Sequence, residues 1–474
     1  MNEFVLCASA YQPWIDKYPG STAGGKHYCL NRNNTYWEYS RPFWDYQARC
    51  SALMRKGVPV VDICVYLGQN PPVKLVTYRL PEIPEGYDFD VCTAEALVGR
   101  TMAVDGRLTL PTGISYSLLV IQRNNDMPLH VLRHIAGLVK GGVIVCGPRP
   151  DGSDSLKDKA ESEEYRALVD ELWGELTTVS QIRKVGKGKI YENIPLSEVL
   201  KYENIRPDIA IKSGNTAKDK VYFVHRRLSD ADVYFLNNHS DRAFHDTVRL
   251  RTDARQAEYW DAVTGQRYMI PVKASGEKGM LLNLTLAPRE SGFIVTSNNQ
   301  ATGLLPIIAD VQETITPIEG SWNVYFDPRW GGPGKVVFDE LIDWTVHADT
   351  GIRYYSGTAV YHKELNLAIP AQNERLLLRF PRLGSLARVW VNGKEVVTVW
   401  CSPWEADITS YVHEGKNNLK IEVVNSLMNR MIGDASLPES ERFTYAYPQI
   451  ATPTDKLVPS GIMEQLNLVY RQCQ

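Results

Sequence analysis

The sequence predicts a multidomain chain, α/β in its first half and all-β in its second. Its 474 residues exceed what one ordinary hydrophobic core serves, so about two to four domains are expected from length alone. To about residue 212, continuous apolar runs alternate with helical patterns, the signature of buried parallel strands and crossover helices. After Lys220 the runs become short, alternate with period two and are punctuated by turn residues, which reads as β-sandwich.

The apolar run Phe4–Ala10 predicts a strand, followed by a turn-rich, aromatic stretch from Tyr11 to Tyr39. Pro42 to Lys56 carries Phe43, Tyr46, Leu53 and Met54 on one helical face and stops at Gly57. One strand–helix unit cannot cover its own strand on both faces, so this segment is expected to close a larger α/β structure whose beginning is absent. Val60–Leu67, Leu118–Ile121 and Gly142–Cys146 predict parallel strands, and Pro128–Lys140 a helix stopped by Gly141. Charged Asp151–Glu163 predicts a loop leading into a helix over Glu164–Thr177. Strands follow at Val221–Arg227, Asp232–Asn237, Thr247–Arg251, Leu281–Leu286 and Gly292–Thr296. Past a linker-like stretch, Ser297–Leu305, come Trp322–Phe326, Thr358–Leu365, Arg375–Phe380, Ala387–Val391 and Asn418–Val424, with an Asn-Gly hairpin turn at Asn392-Gly393.

A formal net charge of −3 gives no footprint for nucleic acid or an anionic membrane, and neither partner is expected. No run approaches the ~18 apolar residues of a membrane span, and the acidic start Met1-Asn2-Glu3 lacks the basic region of a signal peptide. The eight cysteines, Cys7, Cys29, Cys50, Cys64, Cys92, Cys146, Cys401 and Cys473, form no Cys-x-x-Cys pair and read as buried free thiols, with no thiolate zinc site. The turns Leu67-Gly68-Gln69-Asn70 and Cys146-Gly147-Pro148-Arg149 are neither Gly-x-Gly-x-x-Gly nor Walker loops, so the α/β domain reads as structural. The 25 Tyr and 11 Trp serve sandwich cores first, although flat rings also suit sugar faces.

Several motifs occur together. His27-Tyr28-Cys29-Leu30-Asn31 is followed by Asn34-Thr35-Tyr36-Trp37-Glu38, with Tyr11-Gln12-Pro13-Trp14 upstream. Farther on stand Tyr222-Phe223-Val224-His225-Arg226-Arg227, Tyr259-Trp260-Asp261-Ala262-Val263-Thr264-Gly265, Phe326-Asp327-Pro328-Arg329-Trp330-Gly331-Gly332-Pro333 and Gly351-Ile352-Arg353-Tyr354-Tyr355. This order resembles glycoside hydrolase family 106, the α-L-rhamnosidases, over nearly the whole chain. Arg388-Val389-Trp390-Val391-Asn392-Gly393 through Asp407-Ile408-Thr409 resembles the sugar-binding jelly roll of family 2. The resemblance implies a C-terminal remnant of a (β/α)8 catalytic barrel over 1–57 and a flavodoxin-like domain over 58–212. It then implies a β-sandwich over 213–300 and a galactose-binding-like jelly roll over 301–474. The family's barrel is much longer, so most of it is expected to lie outside this chain.

Glycoside hydrolysis needs two carboxyl groups, one protonated for the leaving oxygen and one ionised. Glu38 follows two aromatics in a loop after the expected strand Phe4–Ala10, where catalytic groups of a barrel collect, and Tyr36 and Trp37 could desolvate it. The resemblance makes Glu38 the general base of an inverting enzyme; the alternative is a solvated glutamate at a helix start. His27, Asn31 and Asn34 supply polar groups for sugar hydroxyls, and Trp14 and Trp37 a platform under the ring. Alternation makes Trp390 a core residue, and Asp407 a turn former.

The family also admits a calcium ion near the sugar, although no Asp/Glu cluster with ligand spacing marks one. Two functions are expected: a glycosidase acting on terminal rhamnosides of plant polysaccharides, or a non-catalytic carbohydrate-binding or structural fragment of one. The expected partners are a rhamnose-containing glycan and, if separately encoded, the missing barrel portion. A periplasmic or extracellular location is expected for the full-length enzyme.

Overall fold

The structure, a computed structural model, describes residues 34–68, 80–122, 127–150, 152, 159–175, 179–214, 221–299, 305–306, 312–445 and 451–472. The expected strand Phe4–Ala10 lies outside them. A 3₁₀ turn, Trp37–Tyr39, passes through Ser40 into the helix Arg41–Met54. Pro42 sits in its first turn, where no N–H is needed. Gly57 then turns the chain at φ 61°, and a Cβ there would lie 2.1 Å from the Arg227 carbonyl oxygen. The helix packs Tyr46, Cys50, Leu53 and Met54 on Val233, Phe293 and Val295. Phe43 and Tyr46 each meet Trp400 edge-on, centroids 5.6 Å apart. It is therefore a wedge between two later β-domains.

The α/β region contains a six-stranded sheet in the order Phe89–Cys92, Ile63–Tyr66, Leu118–Ile121, Ile144–Cys146, Gly188–Glu192, Gln181–Val185. The first five strands are parallel and the last is an antiparallel edge. Their sequence order is 2-1-3-4-5, the doubly wound order of flavodoxin. Ala94–Arg100, Leu129–Lys140 and Lys159–Trp173 cover one face, and Leu196–Tyr202 the other. The third of these helices begins within the stretch expected to be a loop. Its charges face solvent, pairing Glu164 with Arg133 and Glu171 with Lys140, while Tyr165, Val169, Leu172 and Trp173 are buried. It ends at Gly174, short of the expected Thr177.

Both ends of this region belong to the sandwich that follows. Val58–Pro59 pairs with Arg227 and Arg226, and Ile209–Ile211 pairs with Leu250 to Val248. The sandwich faces a seven-stranded sheet, built around Val221–Arg227, Ala231–Asn238 and Ser291–Ser297, with a four-stranded one carrying Phe244–Leu250 and Met280–Leu286. Leu305–Pro306, at the end of the linker-like stretch, pairs with Tyr268 and Met269, so that end is tied to the sandwich.

The last domain packs a six-stranded antiparallel sheet on a four-stranded one. Trp322, Phe326, Tyr361, Leu378 and Ile421 are among its core residues, and Trp344 Nε1 donates to Tyr361 Oη at 2.6 Å. Asn392 and Gly393, with φ 51° and 77°, make the expected hairpin between Leu386–Val391 and Lys394–Val399. Trp390 is not in this core. On its strand Ala387, Val389 and Val391 face inward, so Arg388 and Trp390 lie on the outer face, with Lys420 Nζ 4.9 Å from the Trp390 ring centroid. Asp407 forms its turn, accepting from Thr409 N at 3.1 Å and Oγ1 at 2.6 Å.

Candidate active site

Trp14, His27 and Asn31 lie outside the described residues; Asn34, Trp37 and Glu38 lie within them. Those three stand on one tight turn, because the Trp37 N–H donates to the Asn34 carbonyl at 3.0 Å. The Tyr39 and Ser40 N–H groups donate to the Tyr36 and Trp37 carbonyls at 3.1 Å each. Ser40 Oγ returns to the Trp37 carbonyl at 2.6 Å and accepts from Trp44 Nε1 at 3.1 Å. Trp37 is 39% exposed, as a sugar platform must be. Glu38 is exposed and its carboxylate has no hydrogen-bond or ion-pair partner among the described residues. The desolvation expected from Tyr36 and Trp37 is absent: the turn points the glutamate to solvent.

The backbone under Glu38 is held by the outer face of the last domain's six-stranded sheet. Arg388 Nη2 donates to the Glu38 carbonyl oxygen at 2.7 Å, and its guanidinium carbon lies 4.2 Å from the Tyr39 ring centroid. Buried Tyr39 places its hydroxyl 3.1 Å from Thr358 Oγ1 and 3.4 Å from Glu422 Oε2. Burial, more than the neighbouring Glu422 charge, pushes the Tyr39 hydroxyl pKa above its ordinary value. Thr35 Oγ1 donates to the Asn425 carbonyl at 2.5 Å. A charged donor on a carbonyl contributes about 1.5–3 kcal/mol and a cation over a ring about 0.5–2 kcal/mol. These contacts span 319 to 390 residues of sequence, so local patterning could not disclose them. The usable signal was strand parity, which puts Arg388 opposite the core residues Val389 and Val391.

A second polar centre joins the α/β domain to the sandwich. A cavity of about 670 Å³ is lined by Asp62, Arg107, Arg206, Arg227 and Arg251, among others. Arg251 lies 2.7 Å from Asp62 Oδ2 and 2.6 Å from Asp208 Oδ1. Fully buried His225 has Nδ1 2.7 Å from Asp208 and Nε2 3.1 Å from Asp232, which gives two donated bonds only if the ring carries both protons. Asp232 also accepts from Thr252 Oγ1 at 2.7 Å and Arg227 Nε at 2.9 Å. Burial alone would raise the Asp232 pKa, but the bonds from His225 and Thr252 lower it to about 2. Each carboxylate of this cluster already has a cation, so the charges serve each other and lock the two domains together. Among the described residues no group of three or more His, Cys, Asp or Glu side chains could hold a metal ion.

Residues 309–470 match the family 2 glycosyl hydrolase sugar-binding domain. Residues 1–273, more than half the chain, match glycoside hydrolase family 106, α-L-rhamnosidase, and the chain belongs to that family. It is similar to the solved rhamnosidase from Novosphingobium sp. PP1Y, with TM-score 0.85 and 28% identity over 98% of this chain and 44% of that one. A putative beta-glucuronidase from Formosa agariphila is 22% identical over 92% of this chain and 55% of its own length. The chain thus spans about half the length of these relatives.

Proposed function

We propose that this chain is the C-terminal part of an inverting α-L-rhamnosidase acting on terminal rhamnosides of plant polysaccharides. Glu38 is its general base. The observation that carries this reading is an uncommitted, exposed carboxylate on the aromatic turn of a segment matched by the α-L-rhamnosidase family. Glu38 takes a proton from water as the water oxygen attacks the anomeric carbon, while a carboxylic acid protonates the departing glycosidic oxygen. Trp37 and Trp14 lie under the sugar ring, and His27, Asn31 and Asn34 bond its hydroxyls. The general acid, about 6.5–9.5 Å from the base, and the residues 1–57 as the end of a (β/α)8 barrel, complete the reading. We place that acid in the part of the relatives that this chain does not span, and the complete enzyme in the periplasm or outside the cell.

The rival reading is a non-catalytic carbohydrate-binding or structural fragment, favoured for these 474 residues by their spanning about half of each relative. Assays of residues 1–474 and of a chain extended to the relatives' length, each with an aryl α-L-rhamnoside and an aryl β-D-glucuronide, test the reading. General acid catalysis and substrate positioning together are worth far more than ~10⁴-fold, so no hydrolysis is expected from the chain alone. A chain extended to the relatives' length is expected to hydrolyse the rhamnoside. Turnover by residues 1–474 alone would place the acid within them and overturn the shared site; preference of the extended chain for the glucuronide would overturn the sugar.

A further inference from the structure

The carboxylate of Glu38 can be no better placed than the backbone that carries it, because it is exposed and among the described residues no hydrogen bond or ion pair holds its oxygens. That backbone is gripped through one side chain above all. Arg388 bonds the Glu38 carbonyl at 2.7 Å and covers the ring of the next residue, Tyr39. Arg388 is itself set from two sides. Its partner across the strand pair is Glu422, whose carboxylate lies 4.0 Å from Nη1. Glu395, on the neighbouring strand, lies 3.9 Å from Nε. Glu422 in turn reaches the Tyr39 hydroxyl, so the arginine, the glutamate and the tyrosine close a ring around the turn.

We propose that Arg388 is a positioning residue for the Glu38 carboxylate, which makes the C-terminal jelly roll a working part of the hydrolytic site. The proposal rests on the reading of Glu38 as the base. A rigid bidentate cation is suited to this role, since it can bond a carbonyl and lie flat on an aromatic ring at once, whereas lysine can do only the first well. A displacement of about 1 Å in a catalytic group can cost on the order of 100-fold in rate. Loss of Arg388 is therefore read as a fall in kcat, with ground-state sugar binding by the platform and the polar residues kept.

The test uses the protein in its full native chain, with an aryl α-L-rhamnoside as probe. Arg388→Ala is expected to lower kcat about 10- to 100-fold with KM within about twofold, and Arg388→Lys to recover part of the loss. Lys416→Ala, at an exposed site on the same sheet, is expected to leave kcat unchanged. Amide hydrogen exchange over residues 34–40 is expected to speed up in Arg388→Ala and not in Lys416→Ala. Should Arg388→Ala fail to fold, Tyr39→Phe removes only the hydroxyl held by Thr358 and Glu422, and is expected to lower kcat several-fold at constant KM. If Glu38→Gln abolishes turnover while Arg388→Ala, or Tyr39→Phe in its place, keeps kcat within twofold, the positioning role is wrong and the base assignment stands. If Glu38→Gln keeps full turnover, the base assignment fails and takes the positioning role with it.

Discussion

The two polar centres of this molecule treat their carboxylates in opposite ways. At the junction of the α/β domain and the sandwich, Asp62, Asp208 and Asp232 are buried and each meets Arg251, His225 or Arg227. At the turn before the first helix, the backbone of Glu38 is anchored and its carboxylate is left free among the described residues. A buried charge must be matched by its own protein. An exposed, uncommitted charge on a fixed backbone can be matched by something that binds. The cavity at the junction is thus lined by charges that the protein itself matches, whereas the aromatic turn carries the carboxylate proposed as the base.

Removing one charge from each centre is expected to have very different effects on stability. Asp208→Ala leaves Arg251 and His225 facing each other without the oxygen between them, and is expected to cost about 3–5 kcal/mol in denaturant unfolding. Glu38→Gln, at an exposed position, is expected to stay within about 0.5 kcal/mol of the parent. Equal losses from the two substitutions would erase the distinction.

The pH dependence of stability sharpens it. Asp232 is depressed to about 2, so the stabilisation it brings is full above its ordinary value of 3.8 and lost as pH falls toward 2. The loss amounts to about 2 kcal/mol. Asp88 has the opposite sign: burial raises it to about 6, so its contribution declines as pH rises from about 4 to 6. Unfolding measured from pH 2 to 7 is expected to show Asp232→Asn flattening the acid limb and Asp88→Asn flattening the decline above pH 4. An unchanged acid limb in Asp232→Asn would mean that the bonds from His225 and Thr252 do not hold that carboxylate ionised.

The smallest expected effect is none. In the α/β domain the Gly147 N–H donates to the Tyr191 carbonyl and the Arg149 N–H to Glu192, so those donors of this turn are already committed. Calorimetric titration with FMN, ATP and NAD is expected to be silent; saturable micromolar binding would give this domain a ligand of its own.

Much of this architecture was legible because local chemistry and tertiary packing agree. Leu118–Ile121, Val221–Arg227 and Trp322–Phe326 are strands at the predicted bounds. Pro128 and Gly141 flank the helix they were expected to delimit. Reading failed where pattern was weak or two-faced. Lys159–Trp173 has too few apolar residues to outweigh its charges, so its first turn read as loop. The Gln181–Val185 and Gly188–Glu192 hairpin is rich in lysine, arginine and glycine, and its exposed edge strand shows little alternation. Alternation was read with Trp390 on the inward face, whereas Ala387, Val389 and Val391 take the inward positions and turn Trp390 outward. At the candidate site, Glu38 and Trp37 are proposed from their motif, while Arg388 and Glu422 reach that turn only through the fold.

The most direct measurement of the central claim is the turnover of an aryl α-L-rhamnoside by Glu38→Gln in the full native chain, with its melting temperature taken alongside. Glutamine keeps the size and backbone of the turn but cannot accept a proton from water. A fall in kcat of at least about 10²–10⁴-fold is expected, the usual worth of a general base, with melting unchanged. Turnover within a few-fold of the parent would contradict it, and would return Glu38 to the role of a solvated glutamate at the start of a helix.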